Sequence, residues 1–333
     1  MPPTSELSRP KALLHSWSLA RHILSRKLEI MRLPGMAAEA GFQGVEWLDR
    51  LMPSFEPGYW DELAAAQKEA GLNLAAFSLS MDLGLSPQAV AAQKDRAQAI
   101  LGLCPRLGVQ AVRVSIGSGG RLSLARLMLL TQPGSQRAGE PRPLNNLSRG
   151  LYKLALKLPR RGKRAGDKAD PLALQSAAWS LQPLVRQAAN LGIVLALENH
   201  FGLTSHPEDL LALLDLVNDD AVKQDAHENK DAGWAQRSPL AGGGLGVCLD
   251  TGNYPLEVDP AEAAGLLAPH AVHLHWKLRS NPISAEEHRN LSLHADALKA
   301  AGYNGMISVE YEGSGDGLAG AKAGLELASQ LMC

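Results

Sequence analysis

The sequence predicts an α/β protein, specifically a (β/α)8 TIM barrel that forms a single domain. Short apolar runs alternate with helical segments along most of the chain, and eight such pairs can be counted. Alternating strands and helices indicate a parallel sheet, and eight pairs is the number found in a closed barrel of this kind. An open doubly wound sheet is the alternative, but no GxGxxG motif follows an early strand.

The strands and helices are predicted from apolar runs, from periodicity and from capping residues. The predicted strands cover 12–19, 44–47, 72–80, 110–116, 193–197, 246–249, 271–274 and 306–309. The predicted helices cover 28–40, 59–70, 87–107, 172–190, 207–217, 260–268, 284–301 and 318–331. Glycine follows several of these helices, and Asp259-Pro260 has the N-cap and first-turn proline of a helix start. The barrel is therefore expected to span 12–333.

Two segments interrupt the alternation and are interpreted as insertions, 121–170 after the fourth strand and 218–243 after the fifth helix. The first contains the basic run 160–164, Arg-Arg-Gly-Lys-Arg. A solvated surface loop is the plainest interpretation of this run. An electrostatic lid over an anionic substrate is the alternative.

The composition argues against several classes of partner. The chain has 333 residues, 45% of them hydrophobic, and a formal net charge of −1. No basic field and no apolar run of about 20 residues points to nucleic acid or to a membrane. The three cysteines show no CxxC spacing, which argues against a disulfide framework or a zinc knuckle. Because the N-terminus lacks an apolar signal region, the expected location is the cytoplasm.

Four strand-like runs in the second half of the chain each end on a residue of a type that binds metals. They end on Glu198, Asp250, His275 and Glu310. In barrels of this type the active site lies at the carboxyl ends of the strands, so these side chains are expected to meet there. Three carboxylates and one imidazole suit Mn²⁺, Mg²⁺, Co²⁺ or Zn²⁺ and do not single one out. The sequence therefore predicts a site for one divalent metal ion.

The motifs around these residues resemble, in order, those of the sugar phosphate isomerase/epimerase family, the xylose isomerase-like barrels. They are Leu197-Glu198-Asn199-His200, Cys248-Leu249-Asp250-Thr251-Gly252-Asn253, His273-Leu274-His275-Trp276-Lys277 and Ser308-Val309-Glu310-Tyr311. The resemblance implies that Glu198, Asp250, His275 and Glu310 bind the cation. It also implies that Glu198 and Glu310 act as acid and base on a small carbohydrate substrate.

The function implied is a divalent-metal-dependent isomerase or epimerase of a sugar or a sugar-like polyol ketone. It would work by proton abstraction next to a carbonyl, through a metal-bound enediolate. A lyase or dehydratase acting on a keto-sugar or inosose needs the same first step, and a non-catalytic sugar-binding barrel would keep the same ligands. A homo-oligomer associated through the outer helices is compatible with this fold class.

Six further residues are predicted to bind substrate, namely His200, Asn253, Lys277, Arg113, His273 and Glu46. Lys277 and Arg113 could hold a phosphate, a carboxylate or a developing oxyanion, and internal ion pairs with Glu46 or Glu312 are the alternative. Asn253 stands where epimerases of the family commonly have a histidine, and Leu278 stands where an acid is usual. Both departures disfavour the multinuclear site of the abasic-site endonucleases in this family.

Overall fold

The computed structural model describes residues 11–84, 86–117, 149–151, 168–228 and 244–333. Within these ranges eight parallel strands close into a barrel in chain order, and β8 pairs with β1. The (β/α)8 TIM barrel prediction is confirmed. The strands are β1 (Lys11–His15), β2 (Gly44–Leu48), β3 (Leu74–Ser80), β4 (Ala111–Ser115), β5 (Val194–Glu198), β6 (Leu245–Asp250), β7 (Ala271–Leu278) and β8 (Met306–Tyr311).

Helices follow the strands and cover the outside of the barrel. They are α1 (Ala20–Leu24), α2 (Leu33–Glu39), α3 (Pro57–Glu69), α4 (Pro87–Leu103), α5 (Pro171–Asn190), α6 (Pro207–Glu228), α7 (Pro260–Leu267), α8 (Ala285–Ala300) and α9 (Gly317–Met332). Several begin with a capping side chain; Asp259, for example, accepts a hydrogen bond from the Ala261 amide. Each such cap contributes about 1 kcal/mol. Among the described residues, no helix is both long and apolar enough to cross a membrane.

Several element boundaries differ from the prediction: helix α1 was not predicted, and β7 extends to Leu278 rather than ending at 274. The first strand ends at His15, and 16–19 form a short 3₁₀ helix. The Ser16 and Ser18 hydroxyls accept hydrogen bonds from the Leu48 and Tyr311 amides, so side chains rather than a continued backbone ladder join the chain to its neighbours here. Helix α6 continues through 218–228, which the sequence had assigned to the second insertion. The rest of that insertion and most of 121–170, including the basic run, lie outside the described residues.

The barrel interior changes from apolar to polar between its two ends. Leu13, Ala76, Ala111 and Met306 form a buried apolar cluster inside the barrel, towards the amino ends of the strands. Polar side chains occupy the interior above this cluster, including residues of β7 and β8 on the face that alternation predicted. Leu274 and Trp276 face the helix-covered core as predicted, whereas Val272 packs with Ala196 and Cys248 beside a register shift in β6.

The last helix packs closely against β8, which carries one of the predicted ligands. A Cβ atom at Gly320 would collide with the Tyr311 ring, and one at Gly324 would lie 2.5 Å from a Leu278 methyl and 2.7 Å from a Val309 methyl. Larger side chains would therefore push α9 away from the sheet. The two glycines allow this contact, which fixes the end of β8 and with it Glu310.

Candidate active site

The four predicted ligands lie together at the carboxyl end of the barrel. Glu198 and Asp250 are the last residues of β5 and β6, and the strand register places Asp250 opposite His275. Glu310 follows on β8, opposite Lys277. The side chains of Glu198, Asp250 and His275 are fully buried, and Glu310 is 6% exposed. We refer to Glu198, Asp250, His275 and Glu310 as the ligand group.

One atom from each member of the ligand group points towards a common centre. His275 Nδ1 lies 2.9 Å from Glu198 Oε1, 3.8 Å from Asp250 Oδ2 and 3.8 Å from Glu310 Oε2. These four atoms are buried, and each lacks a hydrogen bond of acceptable geometry. Buried polar atoms are rarely left in this condition unless an ion or ligand completes them. Three carboxylate oxygens and one imidazole nitrogen form a donor set that fits one divalent cation.

Lys277 lies beside the ligand group on the side of Asp250. Its Nζ atom is 2.8 Å from Asp250 Oδ2, 3.3 Å from Glu310 Oε2 and 3.9 Å from Glu312 Oε1. It also donates a hydrogen bond of 2.9 Å to Asn253 Oδ1. Burial would lower the pKa of Lys277, but Asp250 and then Glu310 outweigh it and raise that pKa. The ammonium group is therefore a fixed positive charge at the edge of the site.

Asp250 is held by the backbone and by one amide side chain. Its Oδ1 atom accepts a hydrogen bond of 2.8 Å from the Gly252 amide, while Oδ2 faces the common centre and Lys277. Asn199 bonds to both the N–H and the C=O of Asp250, at 2.7 and 2.9 Å. Burial raises the pKa of Asp250 to about 6, and Lys277 opposes this shift only in part.

Arg113 and His200 surround Glu198 on the opposite side of the site. An Arg113 Nη2 hydrogen bond of 2.5 Å holds Glu198 Oε2, and His200 Nε2 lies 3.8 Å from the same oxygen. Although burial opposes ionisation, Arg113 and then His200 keep the pKa of Glu198 well below its usual range. Burial lowers the pKa of His200 to about 4, which leaves this imidazole neutral. Its side chain is 24% exposed, so it reaches the rim of the barrel.

A second polar layer, formed by Glu46, His273, Ser78 and Ser308, lies directly below the ligand group. We refer to these four residues as the supporting layer. Glu46 and His273 are fully buried. His273 Nε2 donates to Glu46, and Glu46 also accepts from His275 of the ligand group above. Neither side chain reaches the rim, so their positions do not favour the substrate contact that the sequence predicted for them.

Helix α8 holds the loop that carries Asn253. Asn290 donates a hydrogen bond of 2.8 Å to the Thr251 carbonyl. His294 Nδ1 donates to the Asn290 carbonyl at 2.8 Å, so its Nε2 accepts the hydrogen bond from the Tyr254 hydroxyl at 3.0 Å. These contacts fix the loop from the outside and place Asn253 beside Lys277.

The structure brings most of the predicted site residues together at the rim, and it adds others that the sequence did not identify. Asn253, Lys277, Arg113 and His200 all lie next to the ligand group. The partner of Arg113 is Glu198 rather than Glu46 or Glu312, while Lys277 does approach Glu312. Asn199 was missed, although its place directly after a strand-end acid is a signal that could have identified it.

Comparison with known proteins places this architecture in a family. Residues 35–224 match the family model described as xylose isomerase-like TIM barrel. A structure of L-ribulose 3-epimerase is similar with a TM-score of 0.60 and 17% identity, over 97% of this chain and 94% of that one. D-allulose 3-epimerase from Methylomonas sp. in complex with D-allulose gives a TM-score of 0.57 and 15% identity, over 97% of each chain.

A third similar structure is that of the probable 3-DHS dehydratase AsbF from Bacillus anthracis. Its TM-score is 0.53 with 14% identity, over 95% of this chain and 97% of that one. At these identities the likeness shows the fold alone. No curated protein matches the sequence. Because the family model matches more than half of its residues, the chain belongs to the xylose isomerase-like TIM barrel family.

Proposed function

We propose that this protein is a divalent-metal-dependent isomerase or epimerase of a sugar or a sugar-like polyol ketone. The observation that carries the proposal is the convergence of four buried donor atoms, one from each member of the ligand group, none of which makes a hydrogen bond of acceptable geometry. Glu198, Asp250, His275 and Glu310 would hold the cation. When bound, such a cation polarises a carbonyl group and so makes the neighbouring C–H bond more acidic.

The two glutamates differ in how well they are suited to remove that proton. Glu198 has its Oε2 atom held by Arg113 at 2.5 Å, which stabilises the carboxylate and makes it a weaker base. Glu310 has no guanidinium partner among the described residues. We therefore assign proton removal to Glu310. Glu198, which is ionised, would first take up a proton from solvent and then return it to the opposite face or to the neighbouring carbon.

The remaining rim residues are proposed to bind and orient the substrate. As the proton moves to Glu310, the electron pair of the C–H bond moves towards the carbonyl oxygen and forms an enediolate. Lys277 Nζ lies beside Glu310 and Asp250, where its charge can stabilise that oxygen. Neutral His200 and the Asn253 amide can bond to hydroxyl groups of a polyol.

The charges at the rim favour an uncharged sugar as the first substrate to test. Arg113, Lys277 and Arg279 each lie within ion-pair distance of at least one carboxylate. A phosphate or carboxylate on the substrate would have to compete for these cations. A panel of uncharged ketoses with Mn²⁺ in D₂O is therefore the sharpest initial experiment.

An isomerase or epimerase should exchange one carbon-bound hydrogen for deuterium beside the carbonyl, which NMR detects, and should otherwise give a product of unchanged mass. Loss of one water would support a lyase or dehydratase, which begins with the same proton abstraction and is represented among the similar structures by the probable dehydratase AsbF. Binding without any exchange would support a non-catalytic sugar-binding barrel. If the metal-loaded protein exchanges no hydrogen with any ketose, the proposed proton transfer fails.

The metal site has a test of its own. Elemental analysis should find about one metal ion per wild-type chain and clearly less in Glu198→Gln, because one ligand oxygen is replaced by a poorer donor. Equal metal content in the two proteins would count against the site. A nicking assay on abasic DNA should show no cleavage, because the formal net charge is −1 and Asn253 stands where the family resemblance implies a histidine.

A further inference from the structure

Glu46 is the most completely bonded carboxylate in the barrel interior that the proposed reaction does not use. Its Oε1 atom accepts hydrogen bonds from Ser78 Oγ at 2.5 Å and from His275 Nε2 at 3.0 Å. Its Oε2 atom accepts from His273 Nε2 at 2.6 Å and from Ser308 Oγ. The side chain is fully buried, so all four donors come from the protein itself.

The bond between Glu46 and His275 determines which imidazole nitrogen faces the ligand group. A carboxylate only accepts hydrogen bonds, so Nε2 of His275 must carry the hydrogen. In the neutral imidazole, Nδ1 then presents its lone pair. Nδ1 lies 2.9 Å from Glu198 Oε1, so this edge of the imidazole faces a carboxylate oxygen. A proton or a cation between the two atoms makes the contact favourable, and a bound cation takes the place of that proton.

We infer that Glu46 is a positioning residue for the metal centre, and that it acts through His275. This inference rests on the proposed function, because it assigns a role within the same metal site. Glu46 fixes the tautomer and orientation of the imidazole and increases the electron density on Nδ1. His273, Ser78 and Ser308 hold the Glu46 carboxylate in turn, so the supporting layer acts through a single residue on the ligand group.

The test compares Mn²⁺ binding by wild type and two variants, measured by titration calorimetry. Glu46→Gln keeps the shape of the side chain but removes its charge, and should weaken Mn²⁺ binding about 10- to 100-fold while one site is retained. Asp49→Asn is the matched control, because Asp49 is a buried carboxylate just after the same strand that bonds to Ser80 and Arg96 instead. It should leave Mn²⁺ affinity unchanged even if it destabilises the fold.

Equal Mn²⁺ affinity in Glu46→Gln and wild type would overturn the positioning role and leave the proposed function intact. Absence of Mn²⁺ binding by wild type would overturn both. If Glu46→Gln does not fold, ¹⁵N-detected NMR of the wild-type histidines with Mg²⁺ bound decides the question. Hydrogen on Nε2 of His275 would support the assignment, whereas hydrogen on Nδ1 would refute it.

Discussion

The supporting layer and the ligand group are both buried and both rich in carboxylates, yet they differ in how their hydrogen bonds are completed. Each oxygen of Glu46 accepts two hydrogen bonds. In contrast, Glu198, Asp250 and Glu310 each leave one buried oxygen without a hydrogen bond of acceptable geometry. Ion pairs with His275 and Lys277 are the contacts of these oxygens within the described residues. The proposed metal site requires this contrast, with a completed support below and open donor atoms above.

The largest effect on activity should come from the ligand group, at Glu310, the residue assigned to proton removal. Glu310→Gln should lower kcat for hydrogen exchange about 10³-fold, because an amide cannot accept the proton. Because this change also replaces one ligand oxygen, exchange is compared at saturating Mn²⁺, where equal metal content separates the loss of the base from the loss of the cation. The measurement is steady-state exchange alongside elemental analysis of the same samples.

Glu312→Gln is the matched control for this experiment. Glu312 directly follows β8, and its side chain approaches Lys277 at 3.9 Å. Its carboxylate is not part of the ligand group, so kcat should fall less than about tenfold. If Glu310→Gln instead keeps wild-type exchange, proton removal belongs to another group, and Glu198 becomes the first candidate.

The next largest effect should be on stability, and it shows how much the stability of the ligand group depends on its cation. Arg113→Met removes the partner of Glu198 and leaves a buried carboxylate without its guanidinium, which should lower the free energy of unfolding of the metal-free protein by about 3–5 kcal/mol. Saturating Mn²⁺ should restore part of this loss, because the cation neutralises the same charge. Urea denaturation with and without Mn²⁺ measures both values.

An exposed ion pair provides the control for Arg113→Met. Arg106 bonds to Asp61 at 2.7 Å, but the two side chains are 42% and 56% exposed. Arg106→Met should therefore cost less than about 1 kcal/mol, with no response to Mn²⁺. An equal loss in both variants would mean that burial at Glu198 carries no special cost.

The two layers also differ in how far sequence alone could define them. Glu198, Asp250, His275 and Glu310 each close a strand-like run, so their shared place at the rim follows from the barrel topology. Alternation likewise gave the inward face of β7 and β8. These signals depend on the local pattern, which a single sequence contains.

The level of a side chain along the barrel axis was harder to predict than the face of the strand on which it lies. Glu46 lies in the middle of β2, opposite His15 and Ala76, and it therefore sits below the rim rather than on it. The stagger between strands sets this height, and no local pattern encodes it. For His273, the two-residue spacing from His275 was a usable signal, because residues i and i+2 of a strand lie on one face at successive levels. Arg113 of β4 pairs with Glu198 of the adjacent strand β5, and this contact depends on the register between the two strands.

The protonation of Asp250, a member of the ligand group, should have a smaller effect, which is a pH dependence of Mn²⁺ affinity. With a pKa of about 6 in the metal-free protein, Asp250 holds a proton below that pH, and a cation must displace it to bind. Although burial opposes it, Cys248 and Glu46 raise the pKa of His275 well above its usual value, so His275 also releases a proton when the cation binds. Mn²⁺ affinity should therefore rise with pH throughout this range, and Asp250 should add about tenfold per pH unit below 6. Calorimetry between pH 5 and 7.5 in buffers of different ionisation enthalpy would show the released proton. A flat affinity profile across this range would contradict the prediction.

The smallest effect should come from removing a single donor of the supporting layer. Ser78→Ala deletes one of the four hydrogen bonds to Glu46 and should lower the free energy of unfolding by about 1–2 kcal/mol. Since three donors remain, Mn²⁺ affinity should change less than about threefold, and Ser308→Ala should behave alike. The double variant leaves each Glu46 oxygen with one donor, and its loss of affinity should exceed the combined effect of the single changes. Strictly additive effects on Mn²⁺ affinity would show that the two serines act separately rather than through Glu46.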